Sequence, residues 1–372
     1  MSLYDRLAAT ANPQPLSPLF STLPAEIRQL IYIEFWRLSG SDMRQHIFKR
    51  STRPEIQDSE GRWGDLTPPP GLWTHVACVT DPRKPDVRYS NFQAVSTAIE
   101  HRQEAALWAS RLRSEWCIHW PCEEADPCRP SQVTRQSRRE LVLGGGTIAH
   151  FPANGSDDER YRQHSATAVW SPFLPVMLTC KRMYLECVSS IYSNLTFIFT
   201  DLLTAGDFLR MHSQRTPEQG NIRSLELSVR VINILSELYF PPTETEGRGP
   251  HGRRQERVVA SKYVSMEANP WATVCDHLVA MPNLHDLRIW FDTRDLRPWH
   301  NRVSEARLFA KLAQVNVQSS KSRFILALPT LAANRGLDPQ HFFEGDCLED
   351  LPFVVERAPR ANNWEIHLFF RS

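Results

Sequence analysis

In the C-terminal half of this chain, apolar strand-like runs alternate with helical segments, and that alternation is the strongest constraint on the fold. Residues 225–231, 287–291, 324–328 and 366–370 are short runs rich in branched and aromatic side chains. Residues 271–280, 304–315 and roughly 348–357 precede the later ones with apolar positions at helical spacing. A chain that returns through a helix before each new strand lays successive strands side by side and parallel. The expectation is an α/β fold with a mostly parallel sheet and helices on one face. A polar Pro/Gly-rich loop at 241–257 interrupts the alternation.

Two of the strands carry the same phrase. Ile222-x-x-Leu225-x-Leu227 and Leu284-x-x-Leu287-x-Ile289 match the L-x-x-L-x-L core of a leucine-rich repeat. In such a core the last two apolar positions point inward from a short strand, and the first anchors the approach turn. The units lie roughly 40–60 residues apart, against about 20–29 in that repeat, and the usual Asn/Cys is absent. Two readings therefore stand, an irregular LRR-like helix–strand array and an ordinary α/β sheet with leucine-rich strands.

The N-terminal half is less regular. Pro24 and Glu26 suit a first helical turn, and Leu23, Ile27, Leu30, Ile31 and Phe35 follow at helical spacing. Residues 73–79 alternate weakly as a short strand, and 92–120 look helical. Val176, Cys180, Met183, Tyr184, Cys187, Val188 and Ile191 form one apolar helical stripe, and residues 196–199 read as a strand. Proline outnumbers glycine 27 to 15, the reverse of the usual order. Most prolines fall in 12–18, 51–86, 121–152 and 241–250, which break up the recognisable units.

Composition excludes several function classes. Charge is balanced, 43 basic against 42 acidic residues, so no global field recruits nucleic acid or an anionic membrane. No apolar run approaches the roughly 18 residues of a membrane span, and the N-terminus does not read as a signal peptide. The eight cysteines contain no CxxC, so reduced thiols are the default. An intracellular protein, of cytoplasm or nucleus, is expected.

Two phrases resemble a known family. The segment 20–32, FSTLPAEIRQLIY, is similar to the L-P-x-E-I-R opening of F-box-like domains abundant in fungal proteins. The segment 178–187, LTCKRMYLEC, with 191–197, IYSNLTF, resembles the second phrase of a large uncharacterised group within them, and 111–124 an insertion found in some members. The resemblance implies an F-box-like helical unit over 20–200, split by an insertion at about 40–170. It is preceded by a flexible tail (1–19) and followed by an LRR-like α/β array (201–372). It also implies docking of the Leu23, Pro24, Ile27 and Ile31 helix face on a Skp1-type adaptor of a ubiquitin ligase, with the concave sheet capturing a substrate. The alternatives are a non-ligase structural or regulatory scaffold whose helix face packs internally against the Cys180 helix and, most weakly, an enzyme.

Other candidate sites are thin. His75-x-x-Cys78 and His119-x-x-Cys122, with Cys128, are the plausible metal ligands, because zinc takes four N/S ligands and neighbouring pairs supply two at a time. Neither spacing is a familiar zinc motif, and buried thiols explain them as well, so no metal and no cofactor are expected. Arg129, Arg135, Arg138 and Arg139, and Arg248, Arg253, Arg254 and Arg257, read as solvated loop charge rather than a nucleic-acid contact. Gly144–Gly146 lack a following G-K-[ST], and no nucleophile elbow or H-E-x-x-H is present, so no catalytic set emerges.

Overall fold

The computed structural model describes residues 3–38, 43–50, 72–81, 84–96, 101–114, 116–125, 173–213, 222–231, 269–293, 299, 303–317, 323–330, 342–343 and 348–360. Within them the chain runs α1 (Leu3–Ala9), α2 (Pro18–Ser21), α3 (Ala25–Leu38), β1 (Arg44–Arg50), β2 (Leu72–Ala77), α4 (Arg88–Ser96), α5 (Arg102–Leu112), a 3-10 turn (Cys117–His119) and α6 (Trp120–Ala125). It continues through α7 (Phe173–Met177), α8 (Lys181–Asn194), β3 (Thr196–Phe199), α9 (Leu202–Ser213), β4 (Ser224–Val231), α10 (Pro270–Val279) and β5 (Asp286–Thr293). It ends with α11 (Glu305–Leu308), a second 3-10 turn (Leu312–Gln314), β6 (Phe324–Pro329) and β7 (Val354–Ala358).

The seven strands form one sheet in the order β2-β1-β3-β4-β5-β6-β7. Only β1 and β2 pair antiparallel; every other pairing is parallel. The two L-x-x-L-x-L phrases stack in register, Leu225 opposite Leu287 and Leu227 opposite Ile289. All six of their apolar residues are buried.

Side chains alternate across a strand, so β4 presents Leu225, Leu227 and Val229 to one face and Glu226, Ser228 and Arg230 to the other. The apolar face, with Phe197, Phe199, Ile289, Phe291, Leu326 and Leu328, is covered by α9 and α10. Phe208 of α9 sits 5.5 Å from Phe197, and Trp271 of α10 stands edge-on to Phe291 at 4.9 Å. Asn269 caps α10 by accepting from the Trp271 and Ala272 amides, and Pro270 opens it where a missing N–H costs nothing.

Helices do not keep to one face, contrary to expectation. The 3-10 turn at Cys117–His119 packs against β4 from the polar side, and Cys117 and Ile118 lie on Trp290 and Ala327. The insertion thus caps the polar face, and the concave surface expected to capture a substrate is occupied at β4–β6 by the chain itself. Glu226, Ser228, Trp290, Asp292 and Ala327 are all buried.

Other boundaries also shift. The expected tail carries α1 and the start of α2, with Lys181 donating to Thr10 and Arg182 to the Pro13 carbonyl. The boundary expected at 200 falls inside the sheet, since β1, β2 and β3 precede it and β4–β7 follow. The helix expected at about 348–357 is strand β7, because Pro352 cannot continue a helix and the β-branched Val354 and Val355 suit an edge strand. The 92–120 segment divides into α4, α5 and the first 3-10 turn, and 304–315 shrinks to α11 and the second 3-10 turn. The Val176–Ile191 stripe breaks at Cys180, whose sulfur caps α8 by accepting from the Met183 amide at 3.4 Å. The expected strand at 366–370, the loop at 241–257, Cys128, the arginine clusters and Gly144–Gly146 lie outside the described residues. No described helix is long and apolar enough to cross a membrane.

Candidate functional site

Among the described residues, two places bear on the residues singled out from the sequence. The first is helix α3, whose two sides behave differently. Arg28, Tyr32 and Trp36 recur every four residues and so share one side. That side meets Glu186 and Ser190 of α8, themselves four apart. Arg28 donates two hydrogen bonds of 2.8 Å to the Glu186 carboxylate, Tyr32 donates to it at 3.0 Å, and the Trp36 indole donates to Ser190 Oγ at 3.1 Å. Burial alone would raise the Glu186 carboxyl, but the hydrogen bonds from Arg28 and Tyr32 outweigh it and hold the group below its ordinary range. Arg28 and Arg182 also lie against the Phe20 ring at 5.4 and 4.5 Å.

The contact with the Cys180 helix therefore exists, but the residues singled out from the sequence do not make it. Ile27 and Ile31 are 42% and 45% exposed, Leu30 between them is 56% exposed, and Pro24 is exposed as well. Leu23 is half-buried and lends its carbonyl to Arg28 at 2.7 Å. Ile27, Leu30 and Ile31, with Pro24 just ahead of the helix, thus stand away from the side that fixes α3 to α8. The polar character of Arg28 concealed which side is inward.

The second place is the buried edge between β1, the end of β2 and the first 3-10 turn. His46 of β1, Cys78 just past β2, and His119 and Cys122 place one donor atom each within 4.8 Å of one another. All four residues are no more than 1% exposed. His119 and Cys122, three apart in helical backbone, face the same way. Register explains His46, which lies opposite Ile198 of β3, itself opposite Glu226 of β4. His46 and Glu226 thus share the polar face of the sheet.

Cys78 is tied to β1 by its amide, which donates to the Arg44 carbonyl at 2.9 Å. Its sulfur lies 3.7 Å from Cys122 Sγ and 3.5 Å from His119 Nδ1, and Cys122 Sγ lies 4.0 Å from the same nitrogen. The Val79 amide donates to Cys122 Sγ at 3.3 Å. His119 Nε2 meets Glu226 Oε1 at 2.9 Å, and Arg44 pairs with the other carboxylate oxygen.

His75 is not part of this group. As the neighbour of Val76 in β2 it points to the opposite face, where it stacks on Phe173 with 4.9 Å between ring centroids. A three-residue step keeps side chains together on a helix but separates them on a strand, so H-x-x-C works at 119–122 and fails at 75–78. His46 escaped sequence analysis because β1, RQHIFKR, is framed by charge and lacks clean alternation.

Electrostatics here are set by burial and by contacts among these groups: burial would lower the His119 imidazole, but Glu226 and Cys122 raise it. Burial, opposed by Cys122, holds the His46 imidazole down at about 4, so it is neutral at pH 7. Hydrogen bonding between the thiols, with burial, pushes Cys78 well above its ordinary range, while the hydrogen bonds from Cys78 and His119 hold Cys122 well below it. Burial opposes the charge of Glu226, but His119 and Arg44 keep it ionised.

Comparison with known proteins gives a family and no activity. The profile of a family described as a domain of unknown function (DUF7730) matches residues 132–342. No curated protein and no solved structure matches the chain.

Proposed function

Since the chain belongs to the DUF7730 family, whose description assigns no role, we propose from the site itself that it is a protein–protein interaction module of the fungal F-box-like kind. It docks through the outer side of α3 on a Skp1-type adaptor and has no catalysis of its own. The observation that carries this reading is the exposure of Pro24, Ile27, Leu30 and Ile31 on a helix whose opposite side is locked to α8. An apolar stripe so displayed is preorganised for a partner, because the helix loses little freedom on binding. The L-P-x-E-I-R phrase of the F-box-like domains leads into this same helix, its last residues lying on the first turn.

The test is calorimetric titration of the purified full chain with a purified Skp1-type adaptor. Saturable binding that Ile27→Asp abolishes, while the variant keeps its circular dichroism spectrum and melting temperature, supports docking. Absence of binding by the wild-type chain overturns the adaptor reading and leaves a non-ligase scaffold. One observation favours that second reading: the polar sheet face that would receive a substrate is buried beneath the insertion.

A further inference from the structure

The geometry points to a site for one zinc ion held by His46, Cys78, His119 and Cys122, which clamps the insertion at residues 117–122 to the β1–β2 edge of the sheet. The donor set is two thiols and two imidazoles, a combination that tetrahedral zinc takes in structural sites. Bond lengths of about 2.3 Å to sulfur and about 2.0–2.1 Å to nitrogen put tetrahedral ligand atoms roughly 3.3–3.8 Å apart, the edges that include sulfur being roughly 3.5–3.8 Å. The sulfur–sulfur distance of 3.7 Å and the sulfur–nitrogen distances of 3.5 and 4.0 Å lie on or close to those edges. Because all four donors fall within 4.8 Å of one another, the cage suits a single ion rather than a metal–sulfur cluster.

Two independent observations support a ligand here. Neither buried ring nitrogen of His46 makes a well-formed hydrogen bond, although Cys122 acts on the imidazole electrostatically, a costly arrangement that a metal bond relieves for one nitrogen. His119 has its Nε2 engaged by Glu226, which directs Nδ1 toward the two sulfurs. A carboxylate behind a histidine is the outer-shell arrangement that orients imidazole ligands, and Arg44 in turn holds the carboxylate. The Val79 amide aimed at Cys122 Sγ further favours a thiolate.

With four protein ligands and no exposed edge, the site has no open position for water or substrate, so its role is structural. On binding, the protons held by the two sulfurs and His119 Nδ1 leave to solvent, and the two thiolates neutralise the dication. The ion then joins three segments distant in sequence: β1, the end of β2, and the turn that caps the polar face.

Metal analysis of the full chain, expressed with zinc in the medium and purified without chelator, is expected to give about one zinc per chain. Cys122→Ser and His46→Ala lose it, His75→Ala keeps it, and Glu226→Gln weakens affinity by about 10–100-fold. Should the ligand variants fail to fold, cobalt exchange into the wild-type chain provides the reading: tetrahedral d–d bands with a sulfur-to-cobalt charge-transfer band. Folded wild-type protein that carries only substoichiometric zinc and gives no such bands overturns the site. So does a Cys78–Cys122 disulfide, detected by alkylation and mass spectrometry.

Discussion

The two faces of the central sheet are held by different physics. Under α9 and α10, the apolar face is a close-packed interior in which Leu225, Leu227, Ile289 and Phe291 need only volume and shape. Under the insertion, the opposite face buries charge, and the charged groups there depend on particular partners. Glu226 is shared by Arg44 and His119, Arg230 donates to the Arg113 and Leu112 carbonyls at 2.7 and 2.8 Å, and Ser228 donates to the Trp116 carbonyl. Apolar packing degrades by degrees, whereas a buried ionic network fails when one member is removed.

Adjacent substitutions in β4 test that difference directly. Glu226→Ala strands Arg44 in a buried site and is expected to cost about 4 kcal/mol in denaturant unfolding. Leu227→Ala, one residue along and facing the helices, is expected to cost about 3 kcal/mol through the cavity it opens. The sharper contrast is with isosteric changes. Leu227→Met is tolerated at about 1 kcal/mol, while Glu226→Gln remains strongly destabilising because it removes the charge and keeps the shape. Equal costs for the two isosteric variants would remove the distinction between the faces.

This asymmetry also decides what could be read from the sequence. The apolar face was legible: the apolar runs at 196–199, 225–231, 287–291 and 324–328 announce strands, and the helical spacing over 271–280 announces α10. The polar face was not. Glu226, Ser228 and Arg230 have the pattern of a solvated edge, and nothing local reveals that the insertion covers them. Residues whose partners lie about a hundred positions away, as Ser228 and Trp116 do, carry no sequence-local signal. The His/Cys cluster was half legible. His119-x-x-Cys122 and Cys78 were visible, but His46 lies on a strand with no periodic signature. The strand reading of 73–79 already implied that His75 and Cys78 face opposite ways.

Helix α3 repeats the contrast on a smaller scale. Its inner side depends on a charged partner, so Arg28→Ala is expected to destabilise by about 2 kcal/mol, less than Glu226→Ala because Glu186 keeps some solvent. The pH dependence has a definite sign. The Glu186 carboxyl is depressed in the folded chain, so its stabilisation is complete above its ordinary value of about 4.3 and is lost as pH falls through the folded value. The stability gap between wild type and Glu186→Gln, measured by urea unfolding, should therefore be widest at neutral pH and shrink as pH falls below the ordinary carboxylate range. A gap independent of pH would show that packing, not charge, holds the inner side.

The outer side of α3 should give the smallest effect. Ile27 and Ile31 meet solvent over nearly half their surface, so truncating either removes less buried area than at a core position, and Ile27→Ala is expected to cost about 1 kcal/mol or less. Chemical unfolding of the isolated chain measures this without reference to any partner. A cost above about 1.5 kcal/mol would mean that the side chain is buried within the chain. In that event the helix has two inner sides, and the apolar face proposed for docking is core. A negligible cost leaves four apolar residues whose exposure does nothing for the fold, and the adaptor titration then asks what they are for.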